Sequence, residues 1–489
     1  MRRGPLVAAA AVAAAGAGGG YWLRRRAVRQ SQGDRAVAGG RGQRNRLLAR
    51  TVVRIGQDYA VTSAREVFAS AARREDLRNE QQLKTAADVV ALLGSMKGVL
   101  MKLGQMASYL DSGLPEPVRQ SLATLQQDAP PMAPELAAAV VTAELGAPPD
   151  VVFAEWDPVP IAAASIGQVH RAITRDGTAV AVKVQYPGVD EAIRSDLANT
   201  ALLVRLASTL FPGLEATPLI GELRARLLEE LDYRLEAENQ QRFADMFAGH
   251  PFIAIPAVRF DLSTGRVLTT ALVAGARYDE VAEWSAEERN LAGETIFRFV
   301  FGCLYRMHAF NGDPHPGNYL FHRGGRVTFL DFGLVKWFTP DEVTQLAEMV
   351  DAIVLRRDAH RFRAAVEAAG FLRPDPTLSD EAVAASLRHY YELVLDLGAT
   401  TCTPEYASET VRRFFDAGDE VIKRANVPPA FVVLQRINLG LYAVLAGLRA
   451  TADWRRIAEE IWPWVDASPS TPLGRAEAQW RSNRAPASA

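Results

Sequence analysis

The chain has 489 residues, too many for one minimal core, and typical domain sizes translate that length into roughly two to four domains or lobes. An apolar fraction of 48% with 23% charged residues is ordinary for a globular protein, and a formal net charge of −2 argues against a nucleic-acid-coating protein. Its two cysteines, Cys303 and Cys402, lie far apart and form neither a disulfide framework nor a metal knuckle, which fits a reducing compartment.

Residues 4–23 (GPLVAAAAVAAAGAGGGYWL) carry no charge and are flanked by Arg2–Arg3 and Arg24–Arg26. About 20 apolar residues span a bilayer, but Ala is near neutral for insertion and the Gly cluster is unfavourable. A membrane anchor, an Ala/Gly tail without fixed structure and a cleaved signal all stay open. The expected location is cytoplasmic, with membrane association through residues 4–23. Arg, Gly and Gln dominate residues 24–50, a basic linker suited to anionic lipid, so residues 1–50 form one segment.

From 51 to about 126 helical periodicity takes over, with Val89, Leu92, Leu93, Met96, Leu100 and Leu103 at three- and four-residue steps. Prolines in 128–136 break the pattern, and a new helix begins near Pro134. Short apolar runs after 151 predict a small sheet, with a hairpin turn at Asp176–Gly177. A long amphipathic helix is predicted over 219–247, followed by short strands around a turn at Thr264–Gly265. Beyond about 280 the chain reads as helical to about 465, and the apolar run 437–448 suits a buried helix. Residues 466–489, rich in Ser, Pro, Arg and Ala, read as disordered. The chain is therefore α+β, divided into an N-terminal segment 1–50, a helical extension 51–135, a small lobe 136–275, a helical large lobe 276–465 and a tail 466–489.

Lysine is rare, occurring only at 84, 97, 102, 183, 336 and 423, so each lysine invites the question why arginine did not serve. Lys183 sits in AVAVKVQ, an alternating strand after a hairpin. A solitary strand lysine is usually solvated, but this one follows a small-residue loop and precedes an acidic helix. Protein kinases use that order: a strand lysine binds the α/β-phosphates of ATP and is held by a glutamate from the αC helix. Glu236 is the first candidate partner and Glu230 the second.

The loop before it, IAAASIGQVHRA (161–172), stands where a kinase carries its Gly-rich phosphate loop. Ala162, Ala163, Ala164 and Ser165 leave room for phosphates with less backbone freedom than Gly; alone, the string also fits a plain strand and turn. In MHAFNGDPHPGNYLF, Asp313 and Asn318 are five residues apart, and Asp331-Phe332-Gly333 follows after a run read as a hairpin. Two ordinary turns would explain each piece. The ordered set points to a nucleotide site in which Asn318 and Asp331 offer oxygen ligands to Mg2+, and Asp313 faces the γ-phosphate or acceptor. His315 fits a structural role, and a G-x-x-x-x-G-K-[ST] string is absent from the sequence.

Taken together, MKLGQMAS (101–108), LATLQQDAPPM (122–132), AAASIGQVHRA, VAVKVQYPGV, ELDYRLEAEN (230–239), GDPHPGN (312–318) and LDFG (330–333) resemble the UbiB (AarF-type) atypical kinases over about residues 50–460. The resemblance implies a protein-kinase-like two-lobe fold with an added N-terminal helical extension. It also implies binding of Mg-ATP, and ATPase or small-molecule or lipid-head kinase activity in support of ubiquinone biosynthesis. It places Lys102 and Gln105 in the family's K-x-G-Q motif, on a helix that folds over the site and blocks protein substrates. The lysine there pairs with an E-x-D motif, Glu230 and Asp232 here, which leaves Glu236 for Lys183. The adenine hinge falls between Ala271 and Val273. The chain departs from the family in reading Asn311-Gly312-Asp313 where members often have His-Ala-Asp, and Gln-Gln-Asp where many have Gln-Asp.

The expected function is thus an atypical kinase or ATPase with ATP and Mg2+ as cofactors. Its expected partners are a lipid or quinone-precursor acceptor and a membrane surface, with no nucleic acid. The alternative is a pseudokinase-like ATP sensor or chaperone regulating a biosynthetic complex. An ordinary Ser/Thr kinase is disfavoured by the Ala-rich loop and the Lys102 helix.

Overall fold

The computed structural model describes residues 132–164, 166–197, 221, 224, 228–312, 314–414, 419–426, 428 and 440–484. Lys102, Gln105, Ser165, Asp313, residues 1–50 and nearly all of the extension 51–135 lie outside the described residues.

The first part is a four-stranded antiparallel sheet in the order β1-β2-β3-β5, built from β1 (Phe153–Ala164), β2 (Gly167–Thr174), β3 (Ala179–Gln185) and β5 (Val267–Ala271). Successive side chains in a strand face opposite ways. In β3 that alternation buries Val180, Val182 and Val184 and turns Lys183 to the other face. Helix α1 (Pro134–Leu145) covers the valine face with Ala137, Val140 and Val141, which share one helical stripe. A proline opens α1, and Gly146, at φ 79°, closes it by donating its N–H to Thr142. Because α1 completes this small core, the boundary expected at 135 falls inside an element of the sheet lobe. The β2–β3 turn lies at Asp176–Gly177, where Gly177 takes φ 82°.

The helix expected over 219–247 is shorter in its described part. Residues 230–231 form a turn, and helix α2 runs from Tyr233 to Met246. Asp232 explains the break: its backbone is extended and its carboxylate accepts the Arg234 N–H, the geometry of an N-cap.

The second part is mainly helical and centres on α3 (Ala286–Met307), which is buried from Ala292 to Tyr305 apart from Phe301. Short sheets interrupt it. Strand β4 (Ile253–Ala254) pairs in parallel with β8 (Val327–Phe329), and β8 pairs antiparallel with β7 (Tyr319–Phe321). Strand β6 (Ala309–Asn311) pairs with β9 (Val335–Trp337). Helices α4 (Pro340–Val350), α5 (Ala359–Ala368), α6 (Tyr442–Leu448) and α7 (Trp454–Ile461) follow, and α6 is buried inside the run expected to be a core helix. Among the described residues no helix is long and apolar enough to cross a membrane.

The segment 466–489, read as disordered, contains helix α8 (Pro472–Arg484) with Leu473, Gly474 and Glu477 buried. Its polar composition misleads because α8 docks through a buried charge cluster together with a few apolar anchors, Leu473, Ala476 and Trp480. The Arg298 guanidinium of α3, completely buried, bonds Glu294 at 2.8 Å, Glu460 at 2.6 Å and Glu477 of α8 at 3.1 Å. A buried cation surrounded by carboxylates is tolerable only when nearly all its donors are used. An added Cβ on Gly474 would lie 2.2 Å from Glu460 Oε2, so only glycine admits the helix this close.

Candidate functional site

The site assembles where three elements meet. Strand β3 presents Lys183 away from the valine core. Its Nζ donates to both carboxylate oxygens of Glu236 on α2, at 2.7 and 2.8 Å, across 53 residues of sequence. The same ammonium stands 3.5 Å from Asp331 Oδ2. Glu230, Tyr233 and Gly333 line the same small cleft.

Burial sets the charge states. Desolvation alone would lower the Lys183 ammonium, but the Asp331 and Glu236 carboxylates outweigh it and hold the lysine well above its ordinary value. Burial pushes Glu236 up to about 7 against the pull of Lys183. Tyr233 is buried, so its hydroxyl is pushed upward as well. The Lys183 ammonium lies 5.0 Å from the Tyr233 ring centroid, and the tyrosine hydroxyl has no hydrogen-bond partner among the described residues.

Asp331 is aimed by its neighbours. Its Oδ1 accepts the Gly333 N–H at 2.9 Å, which turns Oδ2 to the lysine. The Asn311 amide donates to the Asp331 carbonyl at 2.7 Å, and the Gly312 N–H donates to the Leu334 carbonyl at 2.7 Å. Asn311 is the residue standing where family members often carry histidine. Asn318 reaches the same place by backbone, its carbonyl accepting the Leu330 N–H at 3.0 Å. His315 Nδ1 accepts the Gly317 N–H at the start of the short turn that carries Asn318.

Helix α2 ties these parts together. Beyond Glu236, Asn239 donates to the Phe332 carbonyl at 3.3 Å and accepts from the Trp337 indole. Phe243 packs 4.9 Å from the Phe332 ring. The roles of Asn239, Asn311 and Tyr233 are not legible in sequence: single polar residues within a helix or short strand carry no periodic signal, although Tyr233 and Asn239 lie inside the ELDYRLEAEN run and Asn311 stands out as a departure from the family pattern.

The other expected site residues are placed as follows. Ala162, Ala163 and Ala164 are not a loop but the end of β1, paired with Val169, Gln168 and Gly167. Alanine accepts extended backbone where a glycine run would not favour it, so the strand pairing runs through Ala164 to Gly167. Ala271 ends β5 and donates its N–H to Ala257, which makes that amide unavailable to an adenine; Val273 lies just beyond the sheet. Glu230 lies at the cleft, whereas Asp232 is engaged in capping α2.

Among the described residues no group of three His, Cys, Asp or Glu side chains has metal-site geometry. Oxygen donors suited to a hard cation are the carboxylate of Asp331 in the cleft and the amide of Asn318, a residue whose backbone is hydrogen-bonded to Leu330 beside Asp331. This donor set suits Mg2+, which commonly takes one or two protein oxygens and completes its shell with phosphates and water.

Residues 124–366 match the ABC1 atypical kinase-like domain. The chain is 36% identical to the rat "Atypical kinase COQ8B, mitochondrial", over 55% of this chain and 51% of that protein. It is 34% identical to the yeast (Saccharomyces cerevisiae) "Atypical kinase COQ8, mitochondrial", over 53% of this chain and 52% of that one. The chain thus spans about half the length of these curated relatives. A solved complex of Rv3197 with erythromycin from Mycobacterium tuberculosis is similar to 80% of this chain and 98% of its own, at 30% identity and a TM-score of 0.59. The fold and the matches agree: the chain belongs to the ABC1 atypical kinase-like family, the UbiB/AarF group that its motifs resemble.

Proposed function

We propose that the chain binds Mg-ATP in the cleft between β3 and Asp331, and hydrolyses it or transfers its phosphate to a small-molecule or lipid acceptor in isoprenoid-quinone or membrane-lipid metabolism. The observation that carries this reading is the convergence of Lys183, Glu236 and Asp331 within 3.5 Å of one ammonium. Lys183, held charged, would meet the α/β-phosphates. Glu236 fixes its position. Asp331 and Asn318 would hold Mg2+, which when bound supplies charge neutralisation on the phosphates. Asp313, by its place in the motif, would orient a water or hydroxyl. The K-x-G-Q motif at Lys102 and Gln105, with Glu230 at the cleft, would restrict access by protein substrates.

The test is nucleotide binding and ATP turnover by the full chain, with and without anionic liposomes, for wild type and Asp331→Asn. The reading expects Mg-dependent binding and turnover that falls about a hundredfold or more in the variant, the scale on which single electrostatic groups act. Wild-type binding of Mg-ATP with no turnover under any lipid condition would favour the ATP-sensor alternative. No binding at all would sink both.

A further inference from the structure

Helix α8 contributes no residue to the cleft lining described above, yet it grips the end of the helix that carries Glu236. The Trp480 indole N–H donates to the Ala248 carbonyl at 3.1 Å. Arg484 donates to the same carbonyl at 2.7 Å and to the Asp245 carbonyl at 3.1 Å. The last carbonyls of a helix have no partners within it, and a cation there also meets the negative end of the helix dipole. The Trp480 ring packs 4.4 Å from His250 and stacks at 6.3 Å on Phe247, just beyond the end of α2. At its other end α8 is fixed to the large lobe by Glu477 on Arg298 and by the close seat of Gly474.

Helix α2 therefore has its first turn at the cleft, through Glu236, and its last turn bound to an element anchored on α3. Between them Asn239 and Phe243 touch Phe332. A helix of 14 residues transmits displacement of one end to the other.

We propose that Trp480 and Arg484 are positioning residues for the nucleotide cleft: they hold the C-terminal end of α2 so that Glu236 stays on Lys183. The functional consequence rests on the nucleotide reading above; the mechanical coupling does not.

Hydrogen exchange on the full-length, nucleotide-free chain tests the coupling directly, comparing wild type with Trp480→Ala and Arg484→Ala. Arg484 is exposed, so its variant keeps the experiment informative if Trp480→Ala fails to fold. The expected result is faster exchange at 243–250 that extends through 233–240, with α3 unchanged. Loss of protection confined to 243–250 overturns the proposal. In the second arm, Mg-ATP affinity of Arg484→Ala falls about tenfold, within the usual range for coupled sites, and the loss shows in KM more than in kcat. An affinity equal to wild type overturns the functional half. A wild-type chain that binds no nucleotide overturns the proposed function instead, and the exchange arm still decides the coupling.

Discussion

The Lys183 ammonium lies 2.7 Å from Glu236 Oε1 and 3.5 Å from Asp331 Oδ2, so one cation of the sheet serves carboxylates from two other elements. Removing one member of such a set leaves a buried charge without its partner. Lys183→Met is therefore expected to cost about 3 kcal/mol in urea unfolding. Lys183→Met/Glu236→Gln should recover part of that loss, because no charge is then stranded. Additive losses in this double-mutant cycle would mean that the two side chains do not interact in solution.

Gly167 opens β2 beside the turn of the Ala-rich hairpin, paired with Ala164. A Cβ there would sit 2.3 Å from the Val184 carbonyl oxygen and 2.9 Å from the Tyr233 hydroxyl. The carbonyl is backbone and cannot rotate aside, so Gly167→Ala must shift β2 against β3. A loss of about 1–3 kcal/mol, typical of overpacking, should appear in thermal unfolding, together with weaker nucleotide binding. Unchanged stability would show that the hairpin relaxes freely.

Arg298 is the cation that bonds three carboxylates in a site nearly closed to solvent, so its removal is expected to be among the most damaging substitutions outside the cleft. Arg298→Met should destabilise the chain by about 3–5 kcal/mol. Limited proteolysis should then release the α8 segment first, since Glu477 loses its anchor. Resistance equal to wild type would contradict the role assigned to this cluster.

His250 is buried, and burial lowers its imidazole to about 3. A histidine held neutral in the fold contributes stability that is complete above its ordinary value of 6.5 and drains away as pH falls toward the folded-state value. At pH 5 the loss from His250 alone is about 2 kcal/mol. His250→Gln should flatten the acid limb of the stability profile by that amount, and a profile parallel to wild type would remove His250 as its source. Glu236 acts in the opposite sense. Raised to about 7, it stabilises most at pH below 4.5, and its contribution fades as pH rises through 7. Wild-type stability relative to Glu236→Gln should thus rise as pH falls from about 7 toward 5.

Much of this molecule was legible in its sequence. Alternation in AVAVKVQ sets Lys183 opposite three valines, and the prolines before 134 and the Asp176–Gly177 pair mark a helix start and a hairpin. These are local patterns, governed by backbone sterics and by periodicities of 2 and 3.6.

Tertiary structure decided what depends on distant partners. Chain order offered both Glu230 and Glu236 to Lys183, and only the seating of α2 against β3 brings Glu236 to hydrogen-bonding distance. Asn311 gains its task because β6 and β9 pair, which places its amide on the Asp331 carbonyl. The polar segment after 466 includes a helix that docks through partners distant in sequence, Arg298 of α3 on Glu477 and the Ala248 carbonyl on Trp480. Sequence determines the kinds of groups and their local geometry. Which buried charge meets which is set by the desolvation each would suffer alone, and that energy exists only once the chain has folded.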